Sequence, residues 1–293
     1  MDHIEIAQQI GLEALPRLSY ESTFCGNNPT FRQAGLRDSK LGGAPYRPQG
    51  AGWPCKGNGE PYSFVAQLNL AQVERDRQTL GVPPLLGGAL PTHGLIQFFL
   101  PFDEVYGLGY GQPDCFVAYI EDADIPADEP VFAWREAFDA PIQWLREDPE
   151  PKFDPRLNHL SCSPWSTEES ILRHPEVAQA LEPVLLEPTY QLPVPGLHAE
   201  VTTEQEAQWN TFFLERPPRS TLLGKVRHQI GGYADFVQNE PRPKGSPLRL
   251  LFQIDSDGHM QWIGDMGTMQ FFIDPADLAR RDFSKVLIDW SCG

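Results

Sequence analysis

A three-part pattern that occurs twice, in the same order, constrains this chain more than any other feature. The first occurrence is Leu41-Gly42-Gly43, then Phe64-Val-Ala-Gln67-Leu-Asn-Leu70, then Gly94-Leu-Ile-Gln97-Phe-Phe-Leu100. The second is Ile230-Gly231-Gly232, then Leu250-Leu-Phe-Gln253-Ile-Asp-Ser256, then Gly267-Thr-Met-Gln270-Phe-Phe-Ile273. Paired glycines admit a backbone that other residues resist. Apolar and polar residues alternating around each glutamine give the two-residue period of a strand. Gly43 to Gln67 is 24 positions and Gly232 to Gln253 is 21. Gln67 to Gln97 is 30 positions and Gln253 to Gln270 is 17, so the first occurrence carries an insertion of 13.

The pattern reads as an internal duplication. It predicts an α+β fold, predominantly antiparallel β, with a few short peripheral helices and two similar halves related by a pseudo-two-fold. The expected organisation is one compact domain over residues 1–293. Its first repeat covers about 17–120, an irregular acidic insert about 121–200, and its second repeat about 201–293.

Local signals fill in the frame. Apolar spacing from Ile4 to Leu15, stopped by Pro16, predicts an amphipathic N-terminal helix. Strands are expected at Leu18–Phe24, around Gln67 and Gln97, at Cys115–Ile120 and at Val131–Trp134. A modest helix is expected over Ala71–Leu80. Another is expected over His174–Leu181, opened by Pro175 at its first position. Thr203-Glu-Gln-Glu206 has the form of a capping box. Asp257-Gly258 marks a hairpin turn between Leu248–Asp255 and Met260–Ile263. Asp274-Pro275 opens a short helix running to Phe283, before a terminal strand at Lys285–Trp290.

Composition narrows the function classes. The net charge is −17, and the segment 121–150 alone holds ten acids against two arginines. Nucleic-acid binding draws on basic groups that displace counterions, and anionic membranes demand the same sign, so both are disfavoured. A basic protein is the partner this charge suits. The five cysteines are scattered with no C-x-x-C pair, which argues for reduced thiols in the cytoplasm rather than a disulfide framework or a zinc knuckle. The N-terminus lacks the basic and apolar regions of a signal peptide, and no stretch reaches membrane-spanning length.

No catalytic, metal or cofactor motif is recognisable. The loop Ser39–Pro54 (SKLGGAPYRPQGAGWP) is glycine-rich, but it is neither a P-loop nor a dinucleotide fingerprint, and Lys40 stands on the wrong side of the glycines for a phosphate lysine. It reads as a stiff structural loop or as a ligand-contacting one. Asp255-Ser-Asp257-Gly-His259 opens like a calcium loop but lacks the later ligands, so it reads as a turn. Trp53, Trp262 and the two Phe-Phe pairs fit core packing. The four glutamines have two readings: each satisfies loop backbone after a Gly-Gly pair, or together they line a polar cleft between halves. The candidate binding set is therefore Lys40, Gly42, Gly43, Trp53, Gln67, Gln97, Gln253, Asp265 and Gln270.

The run SKLGGAPYRPQGAGWP, with GEPYSFVAQLNL, GLIQFF, LLFQIDSD, GDMGTMQFFI and DLARRDFSKVLIDWSC, resembles the YwqG-like family of uncharacterised bacterial proteins. The resemblance covers both repeat units and fails over residues 121–200. It implies a predominantly β, duplicated fold and offers no catalytic residues. Relatives stand near toxin and immunity systems, which implies a protein-binding, immunity-like role. The function expected is that of a non-enzymatic soluble binding protein. The alternative is a small-molecule binder or enzyme using a cleft between the repeats.

Overall fold

The computed structural model of the chain describes residues 13–22, 34–101, 114–124, 126–127, 178–185, 189–193, 201–215, 228–255 and 267–292, together with positions 5 and 8. Eleven strands are β1 (Leu15–Ser22), β2 (Lys40–Gly42), β3 (Tyr62–Asn69), β4 (Leu95–Pro101), β5 (Phe116–Ile120), β6 (Ala178–Val184), β7 (Tyr190–Gln191), β8 (His228–Gly231), β9 (Arg249–Asp255), β10 (Thr268–Ile273) and β11 (Leu287–Ser291). Among the described residues, and besides helical positions 5 and 8, the helices are α1 (Leu70–Thr79), α2 (Thr203–Glu215) and α3 (Pro275–Ala279), with a 3-10 turn at Leu85–Gly88.

All the strands join one sheet in the order β11-β10-β9-β8-β1-β6-β2-β3-β4-β5, with β7 added beside β1. The ladders run antiparallel from end to end. Mostly antiparallel β with few short helices is thus the observed class. The order reads alike from its centre outward: β8, β9, β10 and β11 extend from β1, while β2, β3, β4 and β5 extend from β6.

Each half bends its second strand at a matching place. The β3–β4 ladder pairs Phe64 with Phe99 and then Ala66 with Phe98, skipping Val65. The β9–β10 ladder pairs Phe252 with Phe271 and then Leu250 with Phe272, skipping Leu251. Val65 and Leu251 each stand two residues before a glutamine, Gln67 and Gln253. A bulge of this kind moves the next residue to the other side of the sheet. Phe64 and Leu250 therefore face outward, while Ala66 and Phe252 face inward.

The inward faces share one core. Ile96, Phe98 and Leu100 of β4 join Phe252 and Ile254 of β9, Met269, Phe271 and Ile273 of β10, and Leu70 and Val73 of α1. Phe98 lies 5.3 Å from Phe252 and 4.6 Å from Phe271 by ring centroid, so β4 meets β9 and β10 across that core. The sheet is consequently curled into a half-barrel. Its two end strands approach without a backbone ladder. Cys115 donates to the Val286 carbonyl at 3.5 Å, Tyr119 packs on Phe283 at 5.7 Å, and Arg281 pairs with Glu121.

Four local expectations are corrected. The helix expected over His174–Leu181 is overturned from Ala178 onward, because Ala178–Val184 is strand β6 between β1 and β2; positions 174–177 lie outside the described residues. Alanine, glutamate and leucine favour a helix by propensity, but two ladders outweigh it. The N-terminal helix does not extend to Leu15, which already belongs to β1; positions 5 and 8 are helical and the rest of 1–12 lies outside the described residues. The box at α2 is Thr202 with Gln205 rather than Thr203 with Glu206. Gln205 N–H donates to Thr202 Oγ1 at 3.2 Å, and Thr202 N–H to Gln205 Oε1 at 2.7 Å. The α3 helix ends at Ala279, short of Phe283. Val131–Trp134 and the Asp257-Gly258 turn lie outside the described residues.

Candidate binding loops on the outer face

The paired glycines set the loops. Gly42 and Gly43 have φ of 66° and 72°, and Gly231 and Gly232 have 69° and 71°. A Cβ on Gly231 would come within 2.9 Å of the Pro16 carbonyl, so both conformation and space require glycine there. Each pair turns the chain from the end of β2 or β8 across the outer face of its own half.

Glutamines then pin the turned chain. Gln67 Oε1 accepts from Tyr46 N–H at 3.0 Å, and Gln97 Nε2 donates to the Tyr46 carbonyl at 2.6 Å and to Gln67 Oε1 at 2.8 Å. In the other half, Gln253 Oε1 accepts from Asp235 N–H at 2.9 Å, and Gln270 Nε2 donates to the Asp235 carbonyl at 2.6 Å. Tyr46 and Asp235 each stand three residues after the second glycine. Gln67 faces Gln97 in one ladder and Gln253 faces Gln270 in the other. Buried amides thus supply the backbone partners that a loop lacks. The two pairs serve separate loops, and no hydrogen bond among the described residues joins one pair to the other.

The first half also anchors the segment before β2. Gln67 Nε2 donates to the carbonyls of Leu36 at 3.0 Å and Asp38 at 2.9 Å, and Asn69 Nδ2 to that of Arg37 at 2.9 Å. Lys40 is only 1% exposed, and its ammonium donates to Gly35 O at 3.1 Å and Leu36 O at 2.9 Å. Burial pulls its pKa down to about 8, while Asp38 acts in the opposite direction. Gln229 occupies the corresponding place in the second half, opposite Gln253 as Lys40 is opposite Gln67. It donates to the Gly231 and Tyr233 carbonyls at 3.1 and 2.8 Å and to Gln191 Oε1 at 3.2 Å.

Outward aromatics lie beside these loops. Trp53 packs edge-on against Phe99 at 5.8 Å, and its indole N–H donates to the Tyr62 carbonyl at 2.8 Å. Arg47 stacks over the Trp53 ring at 5.4 Å. Across the sheet Arg242 stacks over Phe272 at 4.4 Å. Phe99 and Phe272 each follow a glutamine, Gln97 or Gln270, by two positions.

Of the sequence-derived candidates, Lys40, Gly42, Gly43, Gln67, Gln97 and Trp53 are brought to one half, and Gln253 and Gln270 to the other. Asp265 lies outside the described residues, as does Trp262. Sequence reading passed over Arg47, Arg242, Tyr46, Asp235 and Gln229. For Tyr46, Asp235 and Gln229 the signal was available in their spacing from the glycine pairs; Arg47 and Arg242 share no such spacing.

A family model described as "Domain of unknown function (DUF1963)" matches residues 39–292. The chain belongs to this family. No curated protein matches it. The family's span starts at Ser39, whose hydroxyl accepts from Asn69 N–H at 2.9 Å. His228 Nδ1 accepts from Asp255 N–H at 3.1 Å in the corresponding place. Strand β1 lies outside the matched span, yet it pairs with β6, β7 and β8.

One acid near the second loop gives a pH test. Asp289 on β11 is held up at about 6, chiefly by burial and then by Glu240. Its charged form therefore costs stability above that pH, and the cost vanishes below the ordinary carboxylate pKa of about 4, where both states are protonated. Asp289→Asn is expected to raise stability at pH 7.5 by about 1 kcal/mol once solvent screening is allowed for. Thermal melts at pH 7.5 and pH 4 check this. An equal gain at both pH values would contradict it.

Proposed function

We propose that the chain is a non-enzymatic binding protein that recognises a basic protein partner. The observation that carries this reading is the preorganised outer surface: backbone around Tyr46, Asp235 and residues 35–38 is tied to buried side chains before any partner arrives. Loops fixed in advance lose little conformational freedom on binding, which favours recognition. The charge of −17 supplies attraction over distance to a basic surface. An immunity-like role, in which an acidic protein covers a basic one, suits this combination.

The proposal includes an origin and a setting. One compact domain formed by duplication accounts for the matched bulges, glycine pairs, glutamine pairs and strand order. Placement in a bacterial cytoplasm within the YwqG-like group is part of the same reading. Free thiols at Cys55, Cys115 and Cys292 support it.

Immobilised chain should capture a basic protein in one-to-one ratio from a bacterial lysate. Re-measured with that protein purified, the dissociation constant should rise at least tenfold between low and high salt. Paired changes at exposed acids should weaken binding while leaving the melting temperature in place. Absence of a partner, or binding indifferent to salt, would overturn the proposal.

A further inference from the structure

The two outer faces provide an internal comparison. Arg242, stacked on Phe272, is completed by Glu240 through a fork: Nε to Oε1 at 2.7 Å and Nη2 to Oε2 at 2.7 Å. Its remaining arm, Nη1, donates to the Leu248 carbonyl at 2.7 Å. Each nitrogen of that guanidinium has an acceptor. Arg47, stacked on Trp53, donates through Nη2 to the Ala51 carbonyl, and no carboxylate among the described residues pairs with it. Its Nε is buried and has no hydrogen-bond partner among the described residues. Nε is the atom through which Arg242 holds Glu240.

A buried donor without an acceptor costs about 1–3 kcal/mol and calls for a reason. The chain has acids in excess, so the missing partner does not reflect a shortage of carboxylates. Arg77 pairs with Glu74 and Arg281 with Glu121, whereas Arg17 Nε, like Arg47 Nε, is buried without a hydrogen-bond partner among the described residues; of these two, only Arg47 has an exposed turn and an aromatic ring beside it. A guanidinium fork matches the plane and spacing of a carboxylate, and stacking on an indole fixes that plane. The turn beside it leaves room. Gly50 (φ 79°) and Gly52 are exposed, with nothing within 4 Å of an added Cβ at either. Apolar surface adjoins the cation, because Phe116 also packs on Phe99, at 5.9 Å, and is 38% exposed.

We propose that Arg47 and Trp53 form an acceptor site for a carboxylate from outside the chain, one that carries a flat apolar body. The ligand's carboxylate takes the place on Arg47 that Glu240 takes on Arg242. Its apolar body lies toward Trp53 and Phe116. The site is separate from the acidic surface offered to a basic partner, and it does not depend on that partner's existence.

The test uses the whole chain labelled with nitrogen-15. The Nε–H resonance of Arg47 is assigned as the one lost in Arg47→Lys. The probes are 3-phenylpropionate, acetate, the neutral 3-phenylpropionamide, and an end-blocked peptide with one glutamate next to phenylalanine. Expected is a saturable shift with 3-phenylpropionate, at least fivefold tighter than with acetate, and none with the amide. Arg47→Gln should abolish the shift, seen on neighbouring backbone amides, while its melting temperature matches that of the parent chain. Tighter binding of the peptide assigns the carboxylate to a protein; tighter binding of phenylpropionate assigns it to a free acid. Both support the site. Failure of every carboxylate to give a saturable shift, or an equal shift with the amide, overturns it.

Discussion

Gln67→Leu is expected to destabilise the fold by about 3–5 kcal/mol, far more than the removal of one average hydrogen bond. The amide accepts from Tyr46 N–H and donates to the carbonyls of Leu36 and Asp38, and it also receives Gln97. Leucine has similar volume, so packing is nearly conserved while these buried backbone groups lose their partner. The cost is that of desolvated polar groups rather than of a cavity. Urea titration of both proteins measures it. Gln67→Glu keeps an acceptor for Tyr46 but loses the donors and buries a charge, so it should be no better than leucine. A loss below about 1 kcal/mol would show that water replaces the amide and that the loops are not held as described.

Phe98→Ala carries the second large expectation, a loss of about 3–5 kcal/mol from transfer and cavity terms together. Phe98 is fully buried and touches Phe252 and Phe271 from the opposite half, so its removal opens the core where the curled sheet meets itself. Phe116→Ala serves as the comparison. That ring is 38% exposed and lies on the outer face, and it should cost about 1 kcal/mol or less. Chemical denaturation should separate the two cleanly. Equal losses would mean that contact across the core contributes little to holding the halves together.

The strands that align by residue were readable in the sequence. Period-two alternation around Gln67 and Gln97, and again around Gln253 and Gln270, is local information. So is the N-cap at Asp274, whose carboxylate accepts from Ala276 N–H at 2.7 Å. Strand β6 was not readable. Ala178–Val184 has helix-forming residues and a proline, and only its two neighbours in space make it a strand. The bulges at Val65 and Leu251 were also hidden, because a bulge is a property of a pair of strands. Of the outer-face groups, the glutamines and Trp53 stood out by repetition and composition. Arg47 did not, since its distinction is the lack of a carboxylate that Arg242 has. That contrast exists only once both arginines are seen on their rings.

The place of β1 bears on how the chain reaches this state. The first strand among the described residues sits in the middle of the finished sheet, and Ser19 must wait for both Val184 and Gln229 before both of its sides are paired. Contacts this distant along the chain make folding slow, because a long loop must close before its contacts repay the entropy. Until then β1, β6 and β8 expose edges that can pair with other chains. Assembly is therefore a late event in synthesis, and the segment that joins the two halves is the one left exposed longest.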